Sequence, residues 1–258
     1  SYREKTRLGL DGSETTMGVD DIKALINQML IKVQAGINRA INTNNGIPPT
    51  YFVYKVEVFE HLLDSDGQKL RDPKGRPLIR VLRFSQKPLP IFIEGVVRYL
   101  KTVNDLYTAR ELYHKVKESS LYDQKLKMYK TNVSLEKESM DIGRLRAFTP
   151  GWLENESIFL HMEYKYLLEI LRAGLYDEFY EDIQTALIAF QAPARYRRSP
   201  LENSSFLVSS AHPDEKLHGA GFVARLTGAT AEFLSMYTIM MTGPCPFRLQ
   251  DEQLQLWL

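Results

Sequence analysis

The 258 residues contain one cysteine, Cys245, which excludes an internal disulfide framework and a multi-cysteine metal centre. It lies in the turn Gly243-Pro244-Cys245-Pro246, far from an obvious base, and reads as structural or incidental. A charge bias is also missing. The 33 basic and 32 acidic side chains leave a formal net charge of +1, so neither nucleic acid nor a membrane is expected as a partner. Any anion site must then be local. No apolar run approaches the roughly 20 residues of a membrane span. GxSxG, Walker and Rossmann patterns are absent, which leaves nucleophilic serine or cysteine catalysis without support. His212 and His218 flank Asp214 and Glu215, but they sit among Ser, Pro and Gly without an HExxH-like pattern, so no metal is expected.

With 44% hydrophobic residues the chain can bury a substantial core, and its length fits one domain plus edges. Ile22, Leu25, Ile26, Met29, Leu30, Val33, Ile37 and Ile41 follow helical spacing after Asp20-Asp21, and Asn44-Asn45-Gly46 stops them. Helical patterns return over 91–100, 106–117, 157–171, 176–190 and 230–241. A β-branched and aromatic run over 51–59 can pair with 79–84 across a loop rich in Asp, Gly, Lys and Pro, a hairpin excursion between helices. Near the far end, Phe247, Leu249, Leu254, Leu256 and Leu258 alternate with polar residues around Gln250-Asp251-Glu252-Gln253, a second hairpin. The expected class is mainly α with β edges, and the abrupt ends read as a piece of a longer polypeptide. Leu153-Glu154-Asn155-Glu156-Ser157 recurs as Leu201-Glu202-Asn203-Ser204-Ser205, an echo compatible with repeated helix pairs.

Two blocks carry chemistry. In Thr149–His161, TPGWLENESIFLH, Asn155 is a candidate N-cap, placing the Glu154 carboxylate just outside a helix start and His161 nearly two turns further in. Trp152 is adjacent. The alternative is a capped helix with a half-buried histidine. In Ala224–Glu232, ARLTGATAE, Thr227 can cap the following helix while its hydroxyl and the Gly228 amide face an anion. A Thr cap without ligand is the plainer alternative there. Arg144, Arg146 and Arg225 can supply charge or be solvated, and Tyr164 and Tyr166 read as packing.

These blocks resemble the inverting glycoside phosphorylases of glycoside hydrolase family 94 and the related β-1,3-glucan phosphorylases. The family's Pro-Gly, Glu-Asn, Ile-Phe and His stand here as Pro150-Gly151, Glu154-Asn155, Ile158-Phe159 and His161. Its Leu-Thr-Gly-Thr-Ala motif corresponds to Leu226-Thr227-Gly228-Ala229-Thr230-Ala231. The match is firmest over 143–243 and thin before Leu121. The resemblance implies the later part of an (α/α)6 barrel over 1–243, with the β excursion at 51–84, and the start of a C-terminal β-domain at 244–258. It implies a cytoplasmic enzyme that takes a β-glucan oligosaccharide and inorganic phosphate as co-substrate, needs no cofactor, and is compatible with a homodimer. His161, Thr227 and Gly228 would bind phosphate, and Glu154, with Asn155 and Trp152, would bind the sugar. The family's general acid is an aspartate that no aspartate here matches, so it is expected before Ser1, on the remaining part of the same protein, or on another chain, and the isolated chain is expected to be inactive. Glu156-Ser157 and Leu153 depart from the cellobiose enzymes and favour a longer or differently linked β-glucan, β-1,3 by preference. Two alternatives stand beside this one: a non-catalytic carbohydrate-binding or scaffold protein with the same barrel, and an inverting hydrolase whose second carboxylate would be Glu154 or Glu202.

Overall fold

The computed structural model describes residues 4, 7, 9, 12, 14–223 and 228–257. The chain divides into two compact units, Ser1–Arg39 and Ala40–Leu258. Helix α1, Val19–Thr43, crosses that division and buries none of its residues. It begins on Asp20 and Asp21, where the helix dipole favours carboxylates. It ends as expected at Asn45 and Gly46, whose φ of 50° and 88° lie in the left-handed region. The Gly46 amide there donates to the Ile41 carbonyl.

In the second unit, strand β1, Phe52–His61, pairs antiparallel with β2, Ile79–Pro88, and the ladder runs from Phe52↔Pro88 to His61↔Ile79. The connection is organised by two Asx turns. Asp64 accepts from the amides of Asp66 and Gln68, and Asp72 from those of Lys74 and Arg76, with Gly67 and Gly75 supplying positive φ. The hairpin is longer than the alternation alone indicates: pairing runs to His61 at the loop end and to Pro88, opposite Phe52, at the open end.

Helices α2, Ile93–Leu100, and α3, Leu106–Glu118, follow; Asp105 caps α3 by accepting from the Thr108 amide at 2.7 Å. A short antiparallel pair, β3 (Tyr122–Asp123) and β4 (Met128–Tyr129), and the one-turn helix α4, Arg144–Ala147, lead to strand β5, Ile158–Phe159. Helix α5, Leu160–Arg172, is the central element of this unit: Leu160, Tyr164, Tyr166, Leu167, Leu168, Ile170 and Leu171 are all buried. Helix α6, Tyr176–Ala186, then stops short of the expected 190, because a 3-10 turn at Ile188–Phe190 takes over. After the short α7, Pro193–Tyr196, strands β6 (Phe206–Leu207) and β7 (Gly221–Phe222) join β5 in a three-stranded antiparallel sheet. Helix α8, Gly228–Thr242, completes the packing; α5 lies against α2, α6 and α8. The terminal hairpin forms as expected from β8, Phe247–Gln250, and β9, Gln253–Leu256, turning on Asp251 and Glu252 at φ 49° and 61°.

The unit is thus mainly helical with small antiparallel sheets. The internal echo does not mark repeated helix pairs: Leu153–Ser157 leads through β5 into α5, whereas Leu201–Ser205 leads into β6, which pairs with β5. Among the described residues no helix is long and apolar enough to cross a membrane.

Candidate functional site

The start of α5 differs from the sequence expectation. Asn155 does not cap it: the side chain is buried and donates to the Phe148 carbonyl at 2.7 Å, seven residues back. Ile158 and Phe159 are drawn into the sheet, pairing with Leu207 and Phe206, so the helix cannot begin until Leu160. His161 therefore stands in the first turn of α5, not two turns inside it. The preceding loop is tightly wound. Gly151, Leu153 and Glu156 all have positive φ, of 78°, 51° and 56°, and the last two are non-glycine residues in a costly region. A Cβ on Gly151 would stand 2.6 Å from the His212 amide nitrogen, so only glycine fits there. The Glu156 amide donates to Asn132 Oδ1, and the Glu156 carboxylate pairs with Lys130 at 3.0 Å, both largely buried.

Phe159, Phe206 and Phe222 form a cross-strand row on one face of the sheet, with centroids 4.7 and 5.5 Å apart. Trp152 extends the row: its indole lies on Phe222 at 3.8 Å with the planes 2° apart, so one face is already covered. At the other end, the Phe159 ring meets His161 edge-on at 5.9 Å. The row ties the loop to the histidine.

His161 reaches the beginning of α8. A Cβ on Gly228 would lie 2.6 Å from His161 Cγ and Nδ1, so the imidazole is packed directly on the backbone at the helix N-terminus. The Nε2 edge faces the Glu232 carboxylate at 3.4 Å. Partial burial, followed by the charge of Lys165, holds the imidazole pKa below its ordinary value of 6.5, and Glu232 works in the opposite sense. The net direction follows burial because the imidazolium loses more hydration than one carboxylate returns. Asn203 donates to Thr230 Oγ1 at 3.1 Å, fastening the first turn of α8 to the β6 lead-in. Thr227 and Arg225 lie outside the described residues.

Glu154 lies on a different wall. Its carboxylate pairs with Arg144 at 3.2 Å and lines a cavity of about 270 Å³ together with Tyr51, Phe92, Glu94, Phe159 and Met162. The Tyr51 hydroxyl donates to Glu94 Oε2 at 3.0 Å, and Arg98 donates to Glu94 Oε1. Partial burial pushes Glu94 up, but the bonds from Arg98 and Tyr51 outweigh it and hold the carboxyl below its ordinary value of 4.5. Two larger cavities, of about 490 and about 570 Å³, are lined by no residue of the 149–161 segment.

The structure thus brings His161 to Gly228 and places Glu154 on a cavity whose wall, Phe159, touches His161. It places Asn155 in the loop's own bonding and Trp152 in the aromatic row. Sequence reasoning missed Glu232, Lys165, Tyr51 and Glu94. Lys165 and Glu232 are four residues beyond His161 and Gly228, spacing that puts each on the same helix face and could have flagged them. Tyr51 and Glu94 meet across a sequence separation of 43 and carry no local signal.

The remaining candidates are engaged elsewhere. Arg146 donates to the Glu136 carbonyl, and Glu202 pairs with Arg198. His212 Nδ1 accepts from the Asp214 amide, and His218 contacts the His212 carbonyl and Lys125. Among the described residues no group of three or more His, Cys, Asp or Glu side chains could hold a metal ion. Tyr164 and Tyr166 are core residues, as expected. Compared with protein-family models and with curated proteins, the sequence matches none.

Proposed function

We propose that the chain carries the phosphate site and part of the sugar site of an inverting glycoside phosphorylase acting on β-glucan oligosaccharides, β-1,3-linked by preference, on the later part of an (α/α)6 barrel. The observation that carries this reading is the packing of His161 on Gly228 at the start of the 15-residue helix α8. A helix N-terminus offers unpaired amides and positive partial charge, and an imidazole beside it offers a further donor, a combination suited to phosphate. The Glu154 cavity supplies the complementary sugar wall. In the reaction a phosphate oxygen attacks the anomeric carbon, the glycosidic C–O bond breaks, and a general acid protonates the leaving oxygen, giving α-glucose 1-phosphate and a shortened acceptor. Phosphate replaces the water of a hydrolase, so one carboxylic acid suffices. None of the aspartates here is given that role.

The test is an assay of the natural full-length polypeptide with β-1,2-, β-1,3- and β-1,4-linked oligosaccharides. Phosphate-dependent α-glucose 1-phosphate is expected, and its absence with every linkage overturns the reading. His161→Ala is expected to raise the phosphate requirement more than the sugar requirement; equal effects count against the phosphate assignment. One observation favours a second reading, an inverting hydrolase: Glu94 and Glu154 share one cavity, as an acid and base pair would. It predicts free glucose without phosphate and loss of turnover in either Glu→Gln variant.

A further inference from the structure

The cavity between Tyr51, Glu94 and Glu154 has a chemistry that selects its occupant. Its two carboxylates are each met by an arginine, Arg98 and Arg144, whose own side chains are 74% and 75% exposed. The carboxylate charges are thereby offset, with the Lys165 charge also acting on Glu94, so nothing in the lining calls for a cation, and the carboxylate lone pairs left on it disfavour an anion. The polar groups facing it are mostly acceptors. Each carboxylate oxygen has two lone pairs. Arg98 Nε and Nη2 use those of Glu94 Oε1 at 3.0 and 2.6 Å, and the Tyr51 hydroxyl uses one of Oε2. One lone pair on Glu94 Oε2 and one on the Tyr51 oxygen remain, on atoms 3.0 Å apart. That spacing resembles the separation of adjacent hydroxyl oxygens on a sugar ring. Glu154 accepts one bond on each oxygen, at 3.2 and 3.3 Å, and keeps a lone pair on both. Thr131 also lines it, with its hydroxyl donating to the Ser157 carbonyl at 3.0 Å, and the remainder of the wall is apolar: Phe92, Ile93, Leu145, Phe159 and Met162. A ligand that donates from neighbouring hydroxyls and presents a C–H face to aromatic rings satisfies both halves.

The pair is built into the fold. The Thr50 hydroxyl donates to the Phe92 carbonyl and accepts from the Gly95 amide at 2.8 Å, fixing the chain before Tyr51 to the start of α2. A Cβ on Gly95 would stand 2.6 Å from Thr50 Oγ1 and 2.9 Å from the Pro48 carbonyl, so this approach requires glycine. Tyr51 also meets Phe92 edge-on at 5.1 Å, and the Leu89 amide donates to its carbonyl. The hydroxyl is therefore aimed before any ligand arrives.

We propose that this cavity holds one neutral pyranose unit of the substrate and that Glu94 and Tyr51 together accept hydrogen bonds from two adjacent ring hydroxyls. The assignment rests on the glycoside phosphorylase reading, and it makes Glu94 and Tyr51 residues that determine which sugar is accepted. Phe159 bounds the cavity and touches His161, so the bound ring would lie toward the phosphate pocket.

The experiment is titration calorimetry on the natural full-length polypeptide, with β-linked gluco-oligosaccharides of two to four units and, separately, inorganic phosphate. Glu94→Gln and Tyr51→Phe, both close in shape to the native residues, are expected to weaken saccharide binding about 10-fold and about 3- to 10-fold, the range for losing a charge-assisted or a neutral hydrogen bond. Phosphate affinity should stay within about 2-fold, which also reports that the variants are folded. One monodeoxy analogue should lose affinity on the native protein and lose no more on Tyr51→Phe, since both remove the same bond. Saccharide affinity unchanged in both variants overturns the Glu94–Tyr51 assignment while leaving the phosphorylase reading intact. A native protein that binds phosphate but no saccharide of the panel overturns both.

Discussion

Gly228→Ala tests the arrangement at the start of α8 with the smallest available change. The added Cβ would sit 2.6 Å from His161 Cγ and Nδ1 and 2.7 Å from Cε1, where ordinary contacts begin at 3.4 Å. The ring or the helix start must therefore move by about 1 Å, a displacement of the size that costs up to about 100-fold when it falls on a binding geometry. Losing one charge-assisted hydrogen bond to phosphate, worth about 1.5–3 kcal/mol, gives a similar figure of about 10- to 100-fold. Stability should hardly change. Gly228 is the first residue of α8, so the higher helix propensity of alanine offsets part of the strain by up to about 1 kcal/mol. The assay is calorimetric titration with inorganic phosphate and with saccharide, in the native background and with His161→Ala. The expected result is weaker phosphate binding in Gly228→Ala, saccharide binding within about 2-fold, and little further loss when His161 is already alanine. Unchanged phosphate affinity, or an equal fall for both ligands, refutes the argument.

Burial and Lys165 hold His161 below 6.5 in the free protein, and a bound phosphate must raise it. Affinity from the imidazolium is then fully present below the free-state pKa and lost as pH rises through the bound-state value. Proton uptake on binding near neutral pH, read from the buffer dependence of the binding enthalpy, should vanish in His161→Gln. Glu163 is buried, accepts the Tyr129 amide at 2.8 Å on Oε1, and has no partner for Oε2. Burial pushes its carboxyl well above the ordinary 4.5, the Tyr129 amide opposes this, and Asp182 and Asp123 add to the rise. A raised folded-state pKa means stability that is complete below the unfolded value and declines as pH rises toward the folded one, by about 1.4 kcal/mol per pH unit. Denaturation of the native protein and Glu163→Gln from pH 5 to 8 should diverge in that sense; parallel curves would refute it. Trp152→Ala removes the indole stacked on Phe222 and should cost about 2–4 kcal/mol in unfolding free energy. A selective loss of saccharide affinity without that destabilisation would show that the free face of the ring matters more than its packing.

The periodicity of apolar residues determined the helices α1, α2, α3 and α8 to within a few residues, because helix formation follows spacing that is local in sequence. The same holds for the turns between β1 and β2, whose aspartates and glycines carry their conformations in their own side chains and φ preferences. The site was legible only in part. The glycine at the start of α8, the histidine and Glu154 stand out by residue type, yet the start of α5 was misplaced because Ile158 and Phe159 suit a helix or a strand equally well. Their partners, Phe206 and Leu207, decided for the strand. What only the tertiary structure decided are the encounters: His161 on Gly228 with Glu232 opposite, and Tyr51 on Glu94 beside Glu154. Local pattern fixes which backbone conformation a segment prefers. Which distant side chains then share a wall depends on how those segments pack, and no spacing along the chain encodes it.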